Sequence, residues 1–111
     1  LELFDSGENG LGNTYASNVV SKLSGLSGRK TVALVLIKNY DDTHGLKYKI
    51  TGIVDVGDEA NSSDELKAET ILAAGASYSA SFDKPWQAIK IEVKNETTDE
   101  LSSCKVFGNV R

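Results

Sequence analysis

The sequence predicts an all-β domain: an antiparallel two-sheet sandwich, immunoglobulin-like or jelly-roll, with an irregular or partly helical N-terminal arm. Three observations carry this. Residues 32–37 are six consecutive apolar residues rich in β-branched side chains, too few for a convincing helix. Residues 46–56, 77–82 and 87–94 alternate apolar and polar side chains with period two. Turn-forming clusters separate these runs, giving about six or seven strands spaced roughly 10–20 residues apart, the cadence of a sandwich rather than of a helix-covered parallel sheet.

With 111 residues the chain is expected to be one domain, able to bury roughly two-thirds of the surface its unfolded form exposes. Residues 1–28 are read as an N-terminal arm or subunit-docking segment and residues 29–111 as the sandwich. Leu1, Leu3 and Phe4 open the chain with a short apolar run. Gly7, Gly10 and Gly12 then sit among polar neighbours that favour turns or an extended arm. Asn13 is placed to cap a short helix with Tyr15, Val19, Leu23 and Leu26 on one face. A strand is equally open, since Tyr15, Val19 and Leu23 also alternate and Ser, Asn, Thr and Val are mediocre helix formers.

Residues 32–37, apolar without interruption, are expected to sit mid-sheet and covered on both faces. A polar turn, residues 40–45, leads to a half-buried strand with Leu46, Tyr48, Ile50, Val54 and Val56 on one face and Lys47, Lys49, Thr51 and Asp55 on the other. Gly52 within it marks a bulge or a close approach. Residues 57–69 form an acidic, small-residue stretch expected to be a loop, with a helical turn at Ser63, Leu66 and Lys67. Residues 70–73 resume as strand, and residues 77–82 point Tyr78, Ala80 and Phe82 inward. Pro85 introduces a strand with Ile89, Ile91 and Val93 facing one way. Residues 101–110 return with Cys104 and Val106 on one side and Lys105 and Phe107 on the other.

The net charge of −4 comes with no basic cluster. That removes the counterion-release term that dominates nucleic-acid affinity, so no nucleic-acid partner is expected. No run of about 18 apolar residues is present, nor a basic-then-apolar leader, so a soluble chain without a membrane partner is expected. The single Cys104 permits no intrachain disulfide, and its strand position predicts a buried, inert thiol.

No catalytic constellation stands out, and the chain is read as non-enzymatic, with no cofactor and no metal. His44, the only histidine, reads as a solvated turn residue. The oxygen ligands Asp55, Asp58, Glu59, Asn61, Asp64 and Glu65 do not follow the alternating calcium-loop spacing. Asn61-Ser-Ser63 and Asn95-Glu-Thr97 match the glycosylation acceptor pattern. Among the aromatics, Tyr48 and Tyr78 are expected in the core, while Trp86 and Tyr40, at strand ends, suit an interface. The candidate interface is therefore Leu1, Leu3, Phe4, Tyr15, Val19, Leu23, Tyr40 and Trp86.

Two runs, Leu72-Ala-Ala-Gly75-Ala-Ser-Tyr78 and Phe82-Asp-Lys-Pro-Trp86-Gln-Ala-Ile-Lys-Ile-Glu-Val-Lys-Asn95, with Leu36-Ile-Lys-Asn39 and Tyr48-Lys-Ile-Thr-Gly52 before them, resemble small β-sandwich accessory proteins of virions. These are the head decoration or cement proteins and tail-associated domains of tailed phages. The resemblance spans residues 31–95 and implies a structural protein of the virion that binds the major capsid protein, and copies of itself, in many copies. Cell-surface adhesion-type sandwich domains of bacteria and archaea share the outline, which implies instead an extracellular adhesion or carbohydrate-binding module. Neither resemblance implies catalytic residues.

Overall fold

A computed structural model of the chain describes residues 1–21 and 32–111. Within them the alternating runs become eight strands: β1 (Glu2–Asp5), β2 (Ala16–Ser21), β3 (Ala33–Asn39), β4 (Leu46–Ile53), β5 (Ser63–Leu72), β6 (Ser77–Phe82), β7 (Ala88–Asn95) and β8 (Cys104–Val110). A 3-10 turn (Val56–Asp58) and one helical turn, α1 (Glu59–Ser62), lie between β4 and β5. Two four-stranded antiparallel sheets result, sheet A in the order β1-β8-β3-β6 and sheet B in the order β2-β7-β4-β5. The chain crosses between the sheets so that first and last strands are neighbours, which is the jelly-roll order and decides between the two sandwich types.

Period two fills the space between the sheets. From sheet A come Ala33, Val35, Ile37, Cys104 and Val106; from sheet B come Leu46, Tyr48, Ile50, Ile89, Ile91 and Val93, all buried. Tyr78 closes the flank beneath β6, its ring centroid 4.9 Å from that of Tyr48. Gly52 is a close approach: a side-chain carbon there would lie 2.5 Å from the Trp86 indole, which lies directly over it.

Several expectations are corrected. Within residues 1–21, expected to belong to an arm, β1 and β2 are edge strands of the two sheets, while residues 22–28 lie outside the described residues. The helix reading fails over Ala16–Ser21, where six consecutive residues pair with β7; Leu23 and Leu26 lie outside the described residues. The acidic stretch is only partly a loop. Its helical turn is Glu59–Ser62, and Ser63 already begins β5, which lengthens that strand to ten residues. Two register shifts against β4 place extra residues in β5, and this irregularity hides the strand from a period-two reading. Val54 and Val56 lie beyond the end of β4 and are exposed rather than inward. Residues 85–87 precede β7 and residues 101–103 precede β8 instead of belonging to them.

The largest correction concerns β3. It does sit mid-sheet, between β8 and β6, but only one of its faces is covered. Ala33, Val35 and Ile37 are fully buried, whereas Leu34 is 48% exposed and Val32, just before the strand, is 39% exposed.

Candidate functional site

Strand register fixes what surrounds the uncovered side of β3. Leu36 is flanked by Phe107 of β8 and Ser79 of β6, Leu34 by Asn109 and Ser81, and Lys38 by Lys105 and Ser77. Val32, Leu34, Leu36 and Phe107 therefore form a continuous apolar stripe on the outer face of sheet A, bordered by serines on one side. On the other side, β1 supplies Glu2 opposite Phe107 and Asp5 opposite Lys105. At the Lys38 end the stripe opens into a shallow depression of about 640 Å³ lined by Asp5, Glu8, Lys38, Tyr40, Lys105 and Phe107. The Tyr40 hydroxyl donates to Asp5 Oδ1 at 2.8 Å, and the Lys105 ammonium stands 5.7 Å from the Tyr40 ring.

The outer face of sheet B is different in kind. Tyr15 lies there between two ammonium groups, Lys49 at 4.5 Å and Lys94 at 4.6 Å from its ring centre. Lys94 and Lys47 reach Glu69 at 3.7 and 3.9 Å, Lys49 reaches Glu92 at 3.9 Å, and Lys90 binds Glu59 at 2.7 Å. The enclosed Tyr15 hydroxyl completes no well-formed hydrogen bond, but the Glu69 carboxylate faces it. Burial first, then the charges of Glu69 and Glu92, push the Tyr15 pKa up. This face pairs its charges and exposes Val19 and Ile71 singly among them, whereas the sheet A face presents its apolar residues side by side as a stripe.

At the end of the sandwich where β3 finishes and β8 begins, a buried polar cluster ties the loops together. Asn39 Nδ2 donates to the carbonyls of His44 and Leu72, and Asn39 Oδ1 accepts from Asp41 N and Ser102 Oγ. Asn95 Nδ2 donates to the Leu11 carbonyl and Asn13 Oδ1, and Asn95 Oδ1 accepts from Ser102 N. The His44 N–H, above all, holds the Asp41 carboxyl below its ordinary pKa against the opposing effect of burial, with Thr43 N–H and Ser103 Oγ helping.

His44 is thus not simply solvated. Its Nδ1 lies 3.1 Å from the Leu101 carbonyl and 3.4 Å from Asp41 Oδ2. Ser103, Asp41 and His44 assemble in the wrong order for nucleophilic catalysis: the carboxylate lies between hydroxyl and imidazole, where a triad needs the imidazole in the middle. Among the described residues no three His, Cys, Asp or Glu side chains gather as a metal site. The acidic residues after β4 are occupied locally, Asp55 accepting from Gly57 N, Asp58 from Asn61 Nδ2 and Glu59 from Lys90. Asn61 is exposed, but Asn95 is buried in β7 and cannot present its amide for glycosylation in the folded chain.

The candidate interface residues do not form one surface. Leu1, Leu3 and Val19 do come together, lining a shallow groove with Val20 and Gly108 where the β1 and β2 edges meet. Leu3 and Phe4 also pack against the core, and Trp86 packs on it from the opposite end to Tyr40. Leu23 lies outside the described residues. Leu34, Leu36 and Phe107 carry the candidate face instead, where the sequence places Leu34 and Leu36 in a doubly covered strand and Phe107 on the side opposite Cys104 and Val106. No signal in the sequence alone identifies them, because they share an open face only once β3 lies beside the alternating β8, and that pairing is not encoded locally.

Cys104 is fully buried, and burial, followed by the charge of Asp5, pushes its pKa up to about 12. The unfolded thiol ionises near ~8.5. The folded chain keeps a proton that the unfolded chain gives up, so this contribution is complete below ~8.5 and is lost as pH rises toward about 12. Native protein is expected to resist thiol reagents until unfolded, and its urea midpoint to fall above pH ~9. Cys104→Ala is expected to flatten part of that alkaline limb; rapid labelling of the native thiol would contradict this.

No protein-family model matches the sequence, and no curated protein matches it. Solved structures do match. The chain is similar to PirA at 12% identity, with a TM-score of 0.59, over 89% of this chain and 88% of that one. It is similar to the K3 adhesin domain of Lys-gingipain from Porphyromonas gingivalis w83 at 15% identity and TM-score 0.54, covering 85% of this chain and 62% of that one. It is similar to CBM28, a carbohydrate-binding module specific for non-crystalline cellulose, at 10% identity and TM-score 0.50, over 100% and 71%. At these identities the likeness is one of fold, a β-sandwich.

Proposed function

We propose that this chain is a non-enzymatic binding module that docks onto a protein surface through the outer face of sheet A. The uncovered stripe of Val32, Leu34, Leu36 and Phe107 carries the reading, because an antiparallel sheet facing water ordinarily puts polar side chains there. Serines on one margin and mixed charges on the other give it the apolar centre and polar rim of a protein interface. The setting proposed is the virion, where many copies bind a shell of major capsid protein and one another, so that modest contacts sum to large avidity. Jelly rolls serve in viral capsids as well as in lectins. No nucleic acid, membrane, metal or cofactor has a part in this proposal.

Leu34→Lys with Phe107→Ser is expected to leave the melting temperature nearly unchanged, since both side chains point away from the core. The wild type is expected to co-sediment with a multi-copy particle in a density gradient of native material. The double variant is expected to be lost from that fraction, each apolar contact contributing about 1–2 kcal/mol, roughly tenfold in affinity. Co-sedimentation unaffected by the substitutions would remove the face from the proposal.

The second reading is an extracellular adhesion or carbohydrate-binding module, favoured by the structural likeness to an adhesin domain and to a cellulose-binding module. Against it, one face of the Trp86 indole is occupied by Gly52, and the Tyr40 hydroxyl is tied to Asp5. A glycan-array signal abolished by Trp86→Ala or Tyr40→Ala, without particle association, would establish it in place of the first.

A further inference from the structure

Edge strands expose unpaired backbone groups, and proteins ordinarily blunt them with bulges, charges or proline. On this domain β1 and β5 both carry register shifts, and β5 adds Asp64, Glu65, Lys67 and Glu69. The edge strands β2 and β6 have none of these devices, but β2 shares its groove with Leu1 and Leu3 at the β1 edge; on β6, Ser-Tyr-Ser-Ala-Ser-Phe pairs with β3 over six residues without a shift. The Asn39 N–H donates to the Ala76 carbonyl, which continues the ladder one residue before the strand. By the alternation of an antiparallel ladder, the N–H and C=O of Tyr78 and Ala80 then point toward β3, and those of Ser77, Ser79 and Ser81 point away from it. Among the described residues no strand pairs with that side. The inward side chains of β6 are only half-buried, while those of β3 beside them are fully buried.

We propose that β6 is a self-association edge: two copies pair their Ser77–Phe82 strands antiparallel about a two-fold axis at Ala80, joining two sheets A into one. This deepens the reading in which copies contact one another, and it uses the edge of sheet A rather than its outer face. The register follows from the sequence of the strand. With Ala80 opposite Ala80 of the second copy, Tyr78 meets Phe82 of the second copy on the inner face, twice, around a small residue at the centre. Aromatic pairs directly across strands are among the stabilising cross-strand contacts. On the outer face Ser79 meets Ser81 of the second copy, and their outward N–H and C=O groups meet as a hydrogen-bonded pair. Centring on Ser79 instead would set Tyr78 against Ala80 and lose both aromatic pairs. The strand supplies its own complement and carries no charge that would select a different chain. A pair of six-residue strands is a small contact, below ~1,200 Å², so the dimer is transient alone and gains strength only in an array.

The test uses the isolated full chain, so its failure leaves docking through the outer face untouched. Sedimentation velocity over a concentration series is expected to show a reversible monomer–dimer shift for the wild type. Ser79→Lys with Ser81→Lys sets like charges opposite each other across the axis, and is expected to abolish the shift while keeping the wild-type melting curve. Ala80→Cys places two thiols at a non-hydrogen-bonded pair, whose Cα atoms stand about 4.5 Å apart, within disulfide reach. Under a mild oxidant it is expected to give a cross-linked dimer on a non-reducing gel, with the buried Cys104 silent. A wild type that remains monomeric at high concentration, a dimer indifferent to the lysines, or a dimer that Ala80→Cys does not cross-link would overturn the proposal.

Discussion

Deleting residues 1–28 is expected to leave no folded domain. The segment supplies β1, an edge of sheet A, and β2, an edge of sheet B, and it places Leu11 and Val20 in the core with Leu3 packed against them. Its backbone also completes bonds that the remainder cannot replace: Leu11 N–H to the Ser102 carbonyl, Asn95 N–H to the Gly12 carbonyl and Gly108 N–H to the Leu1 carbonyl. Removing one large buried aliphatic side chain costs about 2–5 kcal/mol. Losing two such residues and two strands therefore exceeds the roughly 5–15 kcal/mol by which a domain is stable. Residues 29–111 are expected to show no cooperative urea transition, and far-UV circular dichroism without a melting step. A cooperative transition in that fragment would restore the segment as a separable arm.

That segment has the look of an arm in the sequence, and the physical reason is visible in its residues. β1 is four residues with a register shift, and β2 carries Ala16, Ser17 and Asn18 before its two valines, so neither shows the β-branched density that marked residues 32–37. Their strand character comes from partners far along the chain, β8 and β7, and nothing local encodes those partners. The central strands were legible because each buries alternate side chains: Ile89, Ile91 and Val93, Leu46, Tyr48 and Ile50, Cys104 and Val106 all face inward as the pattern requires. The doubly covered β3 was misread for the opposite reason. Apolar side chains on both faces of a strand predict cover on both, and here the fold covers only one, leaving Leu34 exposed and Leu36 half-buried. Jelly-roll connectivity was not legible, because strand order depends on which strands cross between sheets.

Asn95→Ala is expected to destabilise the domain by about 3–4 kcal/mol, more than any single surface change. The Asn95 side chain is nearly inaccessible, and it makes three hydrogen bonds, two donated and one accepted, that join the loop before β2 to the segment before β8. The partners cannot follow it into water: Ser102 N–H and the Leu11 carbonyl are enclosed and would be left unsatisfied, which costs more than the bonds themselves contribute. Chemical denaturation is the measurement. The midpoint is expected to fall with the slope unchanged, while Glu96→Ala, exposed one residue away, is expected to stay within about 0.5 kcal/mol of the wild type. The contrast separates two meanings of the polar cluster. If Asn95→Ala destabilises as expected, Asn39, Asp41, Asn95 and Ser102 are there to hold the ends of β3, β7 and β8 in register, and their polar atoms are committed to one another. If the variant is as stable as the wild type, those atoms are not needed for folding, and the loop end would displace the outer face of sheet A as the surface to probe first.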